Sequence, residues 1–331
     1  MSADGTRQKL FFREAIGRAV AEEMARDERV VLLGQDVGDF GGSYKEFSGL
    51  KARFGASRVR DTPVAEAAMV GLGVGAAAAG LRPLVSITYM DFLMLGLDPL
   101  VNYAAKARFK TAGAVTCPVV VKTTAGAKGQ GVAHSQCLEA WLVGVPGLKV
   151  VAPSNAGDAY GLMKAALRAD GPVLYVDHKR LFPTAGDVPL ADAPIPFGQA
   201  SIARRGGDAT IAAHGFMVRI ALQAAERLAA DGVSCEVIDL RSLAPLDVET
   251  LAASAARTGA LVTLEEGQLA CGVGVEVAFR VREQVSALKV ARVGALPAPV
   301  SSNPVLEAAC LPDASRVEAA VRSLIDPRKG G

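Results

Sequence analysis

The chain has 331 residues, half of them apolar, with a mean hydropathy of +0.28, which fits two domains of ordinary size with well-buried cores. With 36 basic and 34 acidic residues the net charge is only +2, too balanced for a nucleic-acid or membrane-surface footprint. The cysteines Cys117, Cys137, Cys235, Cys271 and Cys310 never form C-x-x-C, and His134, His178 and His214 are dispersed. No disulfide scaffold or zinc site is expected, and reduced thiols point to a cytoplasmic compartment.

In chain order, a short polar lead without a signal-like core precedes "FREAIGRAVAEEMARD" (12–27), which has helical spacing. "RVVLLGQD" (29–36) reads as a buried strand, "GGSYKEFSGLKARFG" (41–55) as a loop and short helix, and "RVRDT" (58–62) as a short strand. "PVAEAAMVGLGVGAAAAG" (63–80) is a helix with Pro63 near its first turn. Its apolar core is too short and too rich in Gly and Ala to span a membrane. A strand (82–90) and a helical run around Pro99 (91–110) follow. "CPVVVKTTA" (117–125) is a strand that leads into the glycine-rich "AGAKGQGVAHSQ" (125–136). Helix, strand, helix and strand then follow at 137–147, 148–154, 155–170 and 172–178, a βα alternation that predicts a parallel sheet covered on both faces. "PTAGDVPLADAPIPFGQ" (183–199) carries four prolines and no periodicity, and reads as a linker. A second alternation fills 208–295, and a helix at 315–326 closes the chain. The expected organisation is α/β, with a first domain over 1–185, a linker over 186–199 and a second domain over 200–331.

Gly71-x-Gly73-x-x-Ala76, with Asp91 downstream, has the form of a dinucleotide fingerprint. That fingerprint needs its first glycine in the turn directly after a strand. Here the strand ends near Thr62, so Gly71, Gly73 and Gly75 fall inside the helix, where each costs about 1 kcal/mol relative to alanine. Close packing against a sheet or a second helix is the better reading. Glu66, in the first turn of this apolar helix, has two readings. It is either a carboxylate placed for the helix dipole or a sheltered carboxyl able to share a proton.

Taken together, "RVRDTPVAEAAMVGLGVGAAAAGLRPL", "GVAHSQCLEAWLVGVPGLKVVAPSNAGDAYGLMKAALR", "VIDLRSLAPLD" and "VTLEEGQLACGVGVEV" resemble the β subunit of the thiamine-diphosphate-dependent E1 component of 2-oxo acid dehydrogenase complexes. The likeness runs from about 8 to 325. The resemblance implies an N-terminal pyrimidine-binding domain with a parallel sheet and a C-terminal transketolase-like domain. It further implies an α2β2 heterotetramer with an E1 α subunit, thiamine diphosphate shared between α and β, and a lipoylated E2 acyltransferase as partner. No Gly-Asp-Gly followed by paired asparagines occurs in this chain, and by the resemblance the Mg²⁺ and diphosphate ligands belong to α.

By the same resemblance Glu66 is the catalytic carboxyl that hydrogen-bonds N1′ of the aminopyrimidine, with Phe92 beside that ring and Val64 on the same wall. His134, in "AHSQ", is implied at the entrance where the lipoyl arm arrives, as a second catalytic residue. A structural K⁺ is implied on the backbone of Ala166, Leu167 and Gly171, although Arg168-Ala169-Asp170 departs from the commoner Arg-Asp-Asn. "ITYMDF" and "DHKRLF" lean toward pyruvate- or acetoin-type members over branched-chain ones. The expected activity is oxidative decarboxylation of a 2-oxo acid, or cleavage of acetoin, with acyl transfer to lipoyl-E2. The alternatives are a split transketolase-like ketol transferase subunit, a non-catalytic assembly subunit, and an NAD-binding protein.

Overall fold

The computed structural model describes residues 6–325. The ends of the two expected domains, 1–5 and 326–331, and with them the last residue of the closing helix, lie outside the described residues. Contacts divide the chain into two compact units. One holds the described residues up to Ala125 together with Leu142–Phe197, and the other holds Gly126–Trp141 together with the residues from Gly198 on.

In the first unit Val59–Asp61, Val30–Gly34, Arg82–Ile87, Val120–Ala125, Val173–His178 and Lys149–Val151 lie side by side in that order, each pair parallel. Four of them, Val30–Gly34, Arg82–Ile87, Val120–Ala125 and Val173–His178, are buried along their whole length. Such continuous burial belongs to a sheet with helices on both faces. Helices Phe12–Arg26 and Ala156–Arg168 pack together, and ion pairs bind them at one side. Lys164 Nζ lies 2.6 Å from Glu22 Oε2 and Arg168 Nη2 lies 2.6 Å from Glu23 Oε1, while Asp192 Oδ1 is 2.9 Å from both cations.

Part of the stretch read as a linker is therefore built into this unit. Ala185–Pro189 is a strand paired antiparallel with Arg7–Phe11, and the Ile195 N–H donates to Gly161 O at 3.0 Å. The strand Arg7–Phe11 gives little sequence signal because four of its five residues are exposed, so nothing alternates.

The helix with the glycines runs over Glu66–Ala78, three residues later than Pro63 suggested. Residues 62–65 stay non-helical as the chain leaves the strand. The run at 91–110 is broken into Met90–Leu93, a 3₁₀ turn Met94–Gly96, a π-helical stretch Asp98–Ala104 holding Pro99, and Ala105–Lys110.

The second unit has a sheet ordered Lys289–Ala295, Ala260–Gln268, Ala209–Ala213, Cys235–Asp239, all parallel, with Ser201–Arg204 antiparallel at the edge. Its core sets Ile211, Val237, Val262 and Leu264 against Met217, Ala221, Ala225 and Leu228 of helix Met217–Ala230, and Val317 and Val321 of helix Ala314–Ile325. Helix Pro304–Cys310, which periodicity did not reveal, is started by Asn303: its Oδ1 accepts the N–H of Val305 at 3.0 Å and of Leu306 at 3.3 Å. Among the described residues no helix is long and apolar enough to cross a membrane.

Candidate functional site

Glu66 is the first residue of its helix, set there by the short connection from strand Val59–Asp61. It is only 6% exposed, and among the described residues its carboxylate has no hydrogen-bonding or ionic partner. Its carboxylate oxygens are not among the buried atoms left without a partner and keep a little contact with solvent, so the fold leaves a largely buried acid open to a group that it does not itself supply. The segment with Phe92 is brought to the same end of this helix. After helix Met90–Leu93 the turn Met94–Gly96 presses on the first helical turn, and a methyl group added at Gly96 would lie 2.6 Å from Val70 Cγ2 and 3.3 Å from the Glu66 carbonyl oxygen. Phe92 is half-buried, and Val64, two residues before Glu66, is 65% exposed. An aromatic and an apolar side chain thus remain accessible in the two segments that flank a sheltered carboxyl.

Of the three helical glycines only Gly73 is used for close approach: a methyl group there would collide with Val85 Cγ2 of strand Arg82–Ile87. Gly71 and Gly75 face open space. All three lie inside the helix, away from its N-terminus, so no phosphate cradle of the dinucleotide kind is formed.

His134 is placed with the second unit, half-buried on the loop 126–141, its backbone N–H donating to Gly131 O at 3.2 Å. Two carboxylates that sequence reasoning did not single out hold this loop. The Ala127 N–H donates to Glu266 Oε1 at 2.7 Å and the Gly129 N–H to Glu307 Oε2 at 2.6 Å. The paired acids of "VTLEEG" at the end of a buried strand were the available signal. The same unit contains a cavity of about 410 Å³ lined by residues that include Ser135, Gln136, Cys137, Glu266 and Gln268. Burial, reinforced by the negative charges of Glu266 and Glu265, pushes the neighbouring Glu139 up from the ordinary 4.5 to about 7.

A second buried cluster in the first unit also went unread. Lys122, in the middle of strand Val120–Ala125, is fully buried and lies 2.8 Å from Asp177 Oδ2 and 3.1 Å from Glu46 Oε1. Burial alone would lower its pKa, but the two carboxylates outweigh it and hold the ammonium above the usual lysine value.

The backbone carbonyls considered for K⁺ mostly have donors already. Ala166 O accepts from the Ala169 N–H at 3.2 Å and Leu167 O from Arg82 Nε at 2.9 Å, while Arg82 Nη2 also donates to Ala169 O at 2.6 Å. A permanent guanidinium charge against these oxygens is a poor setting for a second cation.

The comparisons with known proteins bear on the fold and the family. Residues 8–184 match the family model of the transketolase pyrimidine binding domain, and residues 198–317 that of the transketolase C-terminal domain. The β subunit of the pyruvate dehydrogenase E1 component of Rickettsia conorii is 42% identical over 94% of this chain and 97% of its own length. The chain belongs to the E1 β-subunit family. The 2-oxoisovalerate dehydrogenase β subunit of Bacillus subtilis is 40% identical over 95% of this chain and 98% of that protein. Among solved structures, a split-gene transketolase described as an inactive β4 tetramer is similar with a TM-score of 0.80, covering 95% of this chain and 98% of that one at 27% identity. Sequence likeness to these E1 β subunits is thus well above that to the split transketolase, with which the two-domain α/β fold is shared.

Proposed function

We propose that this chain is the β subunit of a pyruvate-type 2-oxo acid dehydrogenase E1, working with an α subunit in the cytoplasm and passing an acyl group to a lipoylated E2. The observation that carries the reading is Glu66: a sheltered, unpartnered carboxyl at a helix start within the matched pyrimidine-binding domain. This chain's residues fit the pyrimidine half of thiamine diphosphate. Glu66 would hold a proton shared with N1′, and a ring bound there would complete the burial of a residue already only 6% exposed. Phe92 and Val64 would flank the ring and exclude water from the same edge. Bound, the cofactor supplies the electron sink that decarboxylation of a 2-oxo acid needs. Mg²⁺ and the diphosphate fall to the α subunit. K⁺ is left out of the mechanism because, of the three carbonyls on which it would depend, Leu167 O already accepts from Arg82 and Ala166 O from the Ala169 N–H.

His134 would serve the later step, on a loop that belongs to the second unit; an imidazole can give or take a proton near neutral pH. The test is reconstitution with an E1 α subunit. Pyruvate-dependent acylation of a lipoyl domain is expected, at a rate above that with acetoin or branched-chain substrates. Ketol transfer between sugars without lipoyl acylation would overturn the reading in favour of a transketolase.

A further inference from the structure

The loop 126–136 is an unusual place for order. Gly126, Gly129 and Gly131 all hold positive φ, at 89°, 74° and 77°, and glycines lose more backbone freedom on being fixed than any other residue. Yet the loop is fixed at both of its early turns by buried carboxylates. Glu266 is 6% exposed and Glu307 is 7% exposed, and they accept backbone N–H groups of the loop, from Ala127 and Gly129 respectively. Hydrogen bonds to an ionised acceptor are about twice as strong as neutral ones. Burying two carboxylates to make them is an expensive arrangement for a loop that needs only to connect two elements.

Glu307 stands on helix Pro304–Cys310, and the residues that open this helix also meet the loop. Asn303 caps it, and a methyl group at Gly131 would lie 3.3 Å from Ser302 Cβ. The platform therefore touches the loop at Gly129 and at Gly131, and Gly131 O is the acceptor for the His134 N–H. The chain of contacts runs from Glu307 through Gly129 and Gly131 to His134, all within the second unit.

We infer that Glu307 is a positioning residue for the acyl-transfer step: through its bond to the Gly129 N–H it fixes the backbone that presents His134 to the lipoyl substrate. The inference deepens the proposed function and rests on its reading of His134.

The experiment uses the reconstituted complex with its α subunit, carrying Glu307→Ala, Glu307→Gln or His134→Ala. Three quantities are read: kcat/KM for an isolated lipoyl domain, pyruvate decarboxylation with an artificial dye as electron acceptor, and hydrogen exchange in peptides covering 126–136. Glu307→Ala is expected to lower lipoyl acylation about tenfold or more, because a small misplacement of a reacting group is that costly, while dye-linked decarboxylation stays within about twofold. Its loop amides exchange faster. Glu307→Gln keeps an acceptor oxygen for the Gly129 N–H and restores most of the acylation and the protection. The inference is overturned if Glu307→Ala acylates and exchanges like the parent while His134→Ala is impaired, or if both rates fall together. An His134→Ala complex that acylates normally sinks the reading of His134 itself, and loop exchange in Glu307→Ala then shows separately whether the carboxylate holds the loop.

Discussion

At the scale of single residues, three buried ionisable groups carry distinct consequences. Glu66→Gln keeps size and burial but cannot share the same proton, so turnover of the reconstituted complex should fall by about 10²–10⁴ with the unfolding midpoint unchanged; steady-state kinetics beside urea unfolding checks both halves. Lys122 has no such chemistry in view. It neutralises Asp177 and Glu46 in a buried site, and Lys122→Met leaves two carboxylates uncompensated, at a cost of about 3–5 kcal/mol in urea unfolding. Glu139 supplies a pH dependence. Its carboxyl titrates near 4.5 in the unfolded chain and near about 7 in the folded one, so the folded chain binds the extra proton in between. The stability tied to neutral Glu139 is complete below pH 4.5 and lost as pH rises to about 7, up to about 3 kcal/mol in all. Glu139→Gln should therefore gain on the parent as urea midpoints are compared from about pH 5 to about pH 8, and a constant gap would refute the assignment.

At the scale of elements, the helix Glu66–Ala78 separates two roles of glycine that sequence alone presents as one pattern. Gly73→Ala should cost about 1–3 kcal/mol by overpacking against Val85, and Val85→Ala in the same chain should relieve part of it. Gly71→Ala and Gly75→Ala meet nothing and should stabilise the isolated chain by up to about 1 kcal/mol each through helix propensity; thermal unfolding of the three variants tests the division. The buried strands and the long helices were legible because their apolar spacing is continuous. The pair Arg7–Phe11 and Ala185–Pro189 was not, since a two-stranded edge exposed to water leaves no alternation. Helix Pro304–Cys310 escaped because it is two turns long and announced only by its Asn303 cap. Glu66 was legible as an acid out of place among small apolar residues. Lys122 carried the same kind of signal inside "VVVKTTA" but had no partner within view along the chain, since Glu46 and Asp177 come from distant segments.

At the scale of the whole molecule, family membership and the α/β architecture of both halves were readable from motifs spread along the chain, whereas the allocation of residues 126–141 was not. Sequence order places that loop between two strands of the first sheet; contacts assign it to the second unit, because the acids that hold it lie more than a hundred positions downstream. The proposed cofactor site also needs an α subunit, so the purified chain alone should show no pyruvate decarboxylation and should gain it on titration with α to a one-to-one ratio. The interleaving has a practical corollary for anyone dissecting the gene. A fragment stopping near Phe197 would carry the glycine loop away from both of its acidic anchors, and a fragment starting at Gly198 would keep the anchors with nothing to grip. Neither piece is a natural module, and co-expression of the two, not either one by itself, is the way to recover a native loop.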